Sequence, residues 1–303
     1  MYNIIQKKKL WYSISSILVG VSIIATLIWG LRLGIDFTGG SLMEVNYSQA
    51  RPSIDQMETA FKEVGINNVK VQPSGDLDFI LRYENVDQAK HQEIVAKISK
   101  LNIENINVND NKLTENRFES IGPTVGNELK QKAIQAIILV LVCILLYIAY
   151  AFRQVSRPVQ SWKYGLAAII ALVHDIAIVI GLFAFLGKFL NVEVDSLFVT
   201  ALLTVLGFSI HDTIVTFDRI RENLFKTRNY DNFEGLINVS INETIVRSIN
   251  TSLTTFMALM AVYIFGGVST KYFVLALMVG IVVGTYSSIF IASPLLLFFN
   301  KKK

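Results

Sequence analysis

The sequence predicts a polytopic α-helical membrane protein, with six transmembrane helices and one external α+β domain. Three observations carry this. Of 303 residues, 52% are hydrophobic and only 17% are charged, where a soluble domain carries about 25% charged residues. Six apolar runs approach or exceed the roughly 20 residues that one bilayer crossing needs. A polar stretch of mixed charge separates the first run from the other five.

The expected spans are Leu10–Leu31, Ala133–Phe152, Tyr164–Phe185, Leu197–Phe217, the shorter and more polar Ile249–Phe265, and Tyr272–Phe299. They divide the chain into a first helix with a basic start (1–33), an external domain (34–126) and a five-helix membrane domain with a basic tail (127–303). Lys7, Lys8 and Lys9 precede span one; its run exceeds the 7–15 residues of a signal peptide and no A-x-A-like site follows, so an uncleaved anchor is expected. Basic residues set the orientation. Lys7–Lys9, Arg153, Arg157, Lys163, Arg219, Arg221, Lys226, Arg228, Arg247 and Lys301–Lys303 fall on one side, and only Lys188 and Lys271 occupy the two short loops opposite. Short loops obey the positive-inside rule, so both termini are expected in the cytoplasm. The single cysteine, Cys143, excludes an intrachain disulfide and reads as packing in an apolar run.

The external segment alternates elements. In SLMEVNYS, Met43, Val45 and Tyr47 share a strand face. Ser53 caps a helix that runs to Val64 and stops at Gly65. NVKVQ is a short strand, Pro73-Ser74-Gly75-Asp76 a turn, and LDFILRY a strand alternating Leu77, Phe79, Leu81 and Tyr83. A helix from Val86 to Leu101 turns Ile94, Val95 and Ile98 to one side, and a last strand lies near Arg117–Ile121. The order β-α-β-β-α-β is the ferredoxin-like motif. GIDFTGG, from Gly34 through Asp36, Phe37 and Gly39 to Gly40, joins span one to this domain; on residue type alone it reads as a tight exit turn with Asp36 at the wet interface.

Function is sought among polar residues inside the spans. Asp212 lies five residues from the cytoplasmic end of span four, roughly 7–8 Å inside at 1.5 Å per residue. An ionised aspartate within a span costs about 2.5–3.5 kcal/mol on insertion scales. Ser209 and Thr216 share its face, so this stripe is expected to face protein or a water-filled cavity. Arg247, just before span five, starts a second stripe with Thr251 and Thr254. Either Asp212 pairs with Arg247 across the two helices, or Arg247 snorkels to the headgroups. His174 and Asp175 sit near the middle of span three as a support to this chemistry or as a hydrogen-bonded structural pair. His211 faces away from Asp212, towards Thr204 and Gly207, and reads either as packing or as a proton relay. Desolvation favours the neutral form of a carboxyl group, so alternate exposure and pairing of Asp212 would make an ion-driven device, with H+ the expected ion and Na+ the alternative. DRIREN, with Asp218, Arg219, Arg221, Glu222 and Asn223, fits an interfacial or docking segment, and Asn232–Val246 reads as an amphipathic helix on the membrane. Gly280-x-x-x-Gly284, with Ser288 one turn on, fits a close helix-packing face. No H-E-x-x-H and no G-x-x-x-x-G-K-[ST] occurs, which disfavours a zinc protease and a Walker-type ATPase; no enzyme, resident metal or cofactor is expected.

GIDFTGG after span one, GPTVGNEL before span two, HD in span three, HDTIVTFDRIREN closing span four, and ETIVRSINTSLTT followed by FGG together resemble SecF of the SecD/SecF family, within the resistance-nodulation-division superfamily. The likeness covers essentially the whole chain. It implies a bacterial cytoplasmic-membrane protein that pairs with SecD, works with the SecYEG channel on a translocating polypeptide, and uses the proton motive force after the ATP-driven step. It implies that Asp212 is the proton-handling aspartate and Arg247 its essential arginine, and that nucleic acid plays no part. The alternatives are a non-pumping scaffold of the translocon and a half-transporter exporting lipid or small hydrophobic molecules.

Overall fold

A computed structural model describes residues 2–101, 110–153, 159–227 and 232–300. Arg157, Arg228 and Lys301–Lys303, counted above for orientation, lie outside the described residues. The chain divides into two compact units, Leu33–Ala133 and the remainder.

The smaller unit opens with a single helical turn, α2 (Ile35–Thr38), after α1 (Lys8–Trp29), and continues as β1 (Gly40–Tyr47), α3 (Ile54–Glu63), β2 (Lys70–Ser74), β3 (Asp78–Tyr83), α4 (Gln88–Ile98) and β4 (Leu113–Ile121). The sheet order is β2-β3-β1-β4, with every pair antiparallel, so the ferredoxin-like expectation holds. Ser53 caps α3 through a reciprocal box: its hydroxyl accepts from Gln56 N–H at 3.2 Å and its own N–H donates to Gln56 Oε1 at 2.9 Å. Asp87 caps α4 by a single bond, accepting from Lys90 N–H at 2.8 Å. The alternating faces of β1 and β3 meet the helices in one core of Met43, Val45, Tyr47, Phe79 and Leu81 against Met57, Phe61, Ile94 and Ile98. Tyr47 Oη spends its donor on the Ile98 carbonyl at 3.1 Å, and burial pushes this phenol well above its ordinary value. Two expected boundaries change. β2 runs on through Pro73 and Ser74, which an edge strand tolerates because a proline there forfeits no ladder donor. β4 begins four residues earlier than expected, at Leu113, and crosses a register shift opposite Glu44 and Val45.

Six helices of the described residues are long and apolar enough to cross a membrane. They are α1 with its preceding turn, α5 (Pro123–Ala151), α6 (Ser161–Leu190), α7 (Ser196–Thr227), α8 (Phe233–Phe265) and a last span from Lys271 to Phe299. That last span comprises α9 (Lys271–Ser287), a π-helical turn (Ser288–Ala292) and α10 (Ser293–Phe299). α6, α7 and the last span form the buried centre, whereas α5 and α8 expose most of their membrane windows. Cys143 is exposed on α5 instead of packed.

The separate amphipathic surface helix expected at Asn232–Val246 does not form. α8 runs unbroken for 33 residues, about 50 Å, because no helix breaker follows Gly235 within it. Its apolar face, Phe233, Leu236, Ile237 and Ile241, is buried by protein and not laid on lipid. Small residues set the central packing. A Cβ on Gly280 would lie 2.1 Å from Val205 Cγ2, and one on Gly284 would lie 2.8 Å from Ser209 Cβ, so α9 and α7 approach at the expected glycine face.

Candidate functional site

Asp175 stands midway along the 30 residues of α6 and is fully buried. Its Oδ1 meets His174 Nδ1 at 3.0 Å, and its Oδ2 accepts from Ser209 Oγ of α7 at 2.6 Å and from Ser287 Oγ of α9 at 2.8 Å. The close approach at Gly284 brings Ser209 and Ser287 to the same carboxyl oxygen. His174 is itself buried, lies parallel to Tyr286 at 6.3 Å, and leaves its Nε2 without a partner.

Asp212, one turn further along α7 towards its C-terminus, is 3% exposed. Its Oδ2 accepts a long bond from Thr285 Oγ1 at 3.4 Å, and Thr285 in turn is bonded to Ser252 of α8. Ser248 of α8 is buried within interaction range of the same carboxyl but outside hydrogen-bond geometry. Thr213 Oγ1 and Ser288 Oγ meet at 2.7 Å, and each lies 3.2 Å from the Ser209 carbonyl, so one hydroxyl donates to that carbonyl while the other donates to its neighbour. Both aspartates are therefore held by hydroxyls of one short stretch, Thr285 to Ser288, at the start of the π-helical turn. Hydroxyls donate or accept as required, so this lining serves a carboxyl group in either protonation state.

The direct pair between Asp212 and Arg247 is not formed in this conformation. Arg247 is exposed on α8; it and His211 lie within electrostatic reach of Asp212, and no hydrogen bond or ion pair joins Arg247 to Asp212 among the described residues. The reason is angular: Ser248, the next residue, occupies the inward face of α8. His211 is exposed, turned away from Asp212 as its position on the helix requires.

The side chains of the DRIREN stretch bond within α7 and to α8. Arg219 Nε donates to Glu243 Oε2 of α8 at 2.7 Å, and Asn223 Nδ2 reaches the same oxygen at 2.8 Å and Ser240 Oγ at 2.9 Å. Glu222 pairs with Arg219 at 2.5 Å and Lys226 at 2.6 Å, and Asp218 with Arg221 at 2.5 Å. These side chains staple the end of α7 to the start of α8.

GIDFTGG is a packing motif of the smaller unit. Thr38 Oγ1 donates to the Gly34 carbonyl at 3.0 Å, and Phe37 is buried. Asp36 is also buried, at 9% exposure, and not open at a wet interface. Gly39 and Gly40 have φ of 75° and 130°. A Cβ on Gly39 would lie 2.8 Å from Pro123 Cα, and one on Gly126 would lie 3.2 Å from the Phe37 carbonyl carbon. The two glycine-bearing stretches that flank the four-stranded sheet in sequence thus pack on each other.

Sequence reasoning missed Ser287, Thr285, Ser248 and Ser252. The signal was present as Thr285, Ser287, Ser288 and Ser293 within an otherwise apolar run; hydroxyls are cheap enough in a span to pass unnoticed beside a carboxylate.

Comparison with known proteins matches this geometry to one family. The family model described as protein export membrane protein SecD/SecF, C-terminal, matches residues 102–302, and the SecD/SecF GG motif matches residues 28–50. Protein translocase subunit SecF of Thermobaculum terrenum is 43% identical, covering 100% of this chain and 95% of the relative. The SecF of Anaerolinea thermophila is 40% identical over 97% of this chain and 92% of its own, and that of Haemophilus influenzae 36% identical over 94% and 82%. The crystal structure of SecDF from Thermus, a translocon-associated membrane protein, superposes with a TM-score of 0.81 at 30% identity, covering 99% of this chain and 39% of that longer one. SecDF in a super-membrane-facing form gives 0.67 at 30% identity, over 98% of this chain and 38% of that one. By its sequence, its six spans and its ferredoxin-like domain, this chain belongs to the SecD/SecF family of protein-export membrane proteins, as one of its SecF translocase subunits.

Proposed function

We propose that the chain couples the proton motive force to polypeptide export, as one half of a pair with a SecD subunit working beside the SecYEG channel. The observation that carries this reading is the placement of Asp175 and Asp212 in the buried centre of the bundle, each answered by hydroxyls, with no lysine or arginine bonded to either among the described residues. An ionised carboxylate in such surroundings costs several kcal/mol. A proton relieves that cost, so loading and unloading it changes which packing of the helices is preferred. α9 touches both carboxyl groups and continues into a π-helical turn, a feature frequent at functional sites. Arg247, exposed one residue from Ser248, is placed to replace Ser248 at Asp212 if α8 rotates. The cytoplasmic membrane is the expected location, with both termini inside.

The test is export into inverted vesicles, comparing Asp212→Asn with wild type as the gradient is collapsed and restored. Wild type should lose its stimulation on collapse, while Asp212→Asn should lack it throughout and still assemble with its partner. Export by Asp212→Asn at the wild-type rate with the gradient on would leave a scaffold role. Stimulation that follows an imposed sodium gradient and not a proton gradient would replace H+ with Na+, which a carboxyl-and-hydroxyl lining also suits.

A further inference from the structure

The chain enters the smaller unit at Leu33 and leaves it within α5. The two connections are held differently. α5 keeps its membrane window mostly exposed, whereas the entering segment is gripped. α1 ends at Trp29, and Gly30 follows with φ of 66° and ψ of −179°, a conformation that suits glycine alone. A Cβ on Gly30 would meet nothing within 4 Å, so glycine serves there for the backbone turn and not for packing. Beyond that turn, Arg32 is tied to the loop between α6 and α7. Its carbonyl accepts from Val194 N–H at 2.8 Å, its Nη1 donates to Asn191 Oδ1, and its Nε lies 3.5 Å from Glu193 Oε1. Glu193 keeps only 12% of its side chain exposed. The loop is short, Asn191 to Asp195, and fixed at both ends. Asn191 closes α6 in the left-handed region with φ of 56°, and Asp195 Oδ1 accepts from Phe198 N–H in the first turn of α7 at 3.0 Å.

α6 holds the same segment along its length. A Cβ on Gly181 would lie 2.4 Å from Ser22 Cα of α1, and one on Gly187 would lie 3.3 Å from Arg32 Cβ. Both glycines stand between Asp175 and the loop. We propose that Arg32, Asn191 and Glu193 form the link through which α6, the helix that carries Asp175, moves the chain entering the smaller unit. The inference rests on the coupling reading above and adds its mechanical step. A change of packing at Asp175 shifts α6, and the clasp passes that shift to Leu33, the residue after Arg32. Without the clasp, the turn at Gly30 absorbs it.

The test replaces the polar clasp with a covalent one that can be opened. Arg32→Cys and Gly187→Cys are combined in a full-length Cys143→Ser chain assembled with its partner. The two Cβ atoms would lie 3.3 Å apart, close to the spacing of about 3.5–4.5 Å found in disulfides. Gradient-stimulated export into inverted vesicles is measured after oxidation, and again after a membrane-permeant thiol has reduced the bond. Cys143→Ser alone is the reference and should respond alike in both conditions. The double-cysteine chain should lose its stimulation when reduced and match the reference when oxidised. Both states occur in one sample, so misfolding cannot produce the difference. A charge exchange checks the same link without a disulfide: Arg32→Glu should abolish stimulation, and Glu193→Arg added to it should restore part. Full stimulation in the reduced chain, or failure of both the bond and the exchange to restore it, overturns the proposal. A reference chain with no response to the gradient would instead end the coupling reading, and this inference with it.

Discussion

At the scale of single residues, the aspartates of this bundle are set apart by what answers them. Asp175 receives two hydroxyl donors on one oxygen and an imidazole on the other, so removing one donor leaves a buried acceptor partly served. Hydrogen bonds between membrane helices average about 0.6 kcal/mol and reach about 1.7. Ser287→Ala should therefore lower the stability of the folded bundle by an amount in that range, read from unfolding in mixed detergent micelles. The same substitution in an Asp175→Asn background should cost less, because the bond it breaks is already weakened. A loss near zero in both backgrounds would mean that Ser287 only fills space. Among the described residues Asp212 has sparser company, a single side-chain bond at 3.4 Å and a neighbouring Ser248 that makes none. The sequence exposed both carboxylates through their cost in an apolar run. It hid the hydroxyls, because serine and threonine occur in spans for packing as often as for chemistry.

Among the elements, the meeting of α7 and α9 decides whether these side chains converge. A Cβ on Gly280 would meet the methyl groups of Val205, whereas one on Gly39 in the smaller unit would meet the backbone of Pro123. Flexible and rigid obstacles predict different outcomes. Gly280→Ala should destabilise the bundle by about 1–3 kcal/mol, the usual range for overpacking, and Val205→Ala should restore much of that loss in the double variant. Failure of the double variant to recover would mean that the helices are held apart by something other than Val205. The G-x-x-x-G spacing was legible in the sequence; its partner helix was not, since spacing marks a close face without saying what approaches it. The expected break between an amphipathic surface helix and span five failed for a related reason. The polarity change near Arg247 marks where α8 leaves protein and water for the membrane, and the backbone carries straight through it. Arg219 and Asn223, both bonded to Glu243, then fasten that extension to α7.

For the whole molecule, composition and periodicity gave the six spans and the β-α-β-β-α-β order, because bilayer thickness and strand alternation are written directly in residue pattern. Orientation rests on a different kind of argument, the placement of lysine and arginine, and it yields a prediction of its own. α7 and α8 extend into one charged hairpin that carries Arg219, Arg221, Lys226 and Glu234, and the N-terminal segment is tied to that hairpin: Tyr2 N–H donates to Asn242 Oδ1 at 2.7 Å, and Lys8 pairs with Glu234 at 3.2 Å. These residues must share one side of the membrane. Lys188, in the last turn of α6, and Lys271, the first residue of α9, lie at the other ends of the spans. With Cys143→Ser as the background, a cysteine at Lys188 or Lys271 should react with a membrane-impermeant maleimide added outside intact spheroplasts. A cysteine at Lys226 or Glu234 should react only after the membrane is opened. The reverse pattern would place the ferredoxin-like domain in the cytoplasm. Asp212 would then lie nearer the outer face than the inner one.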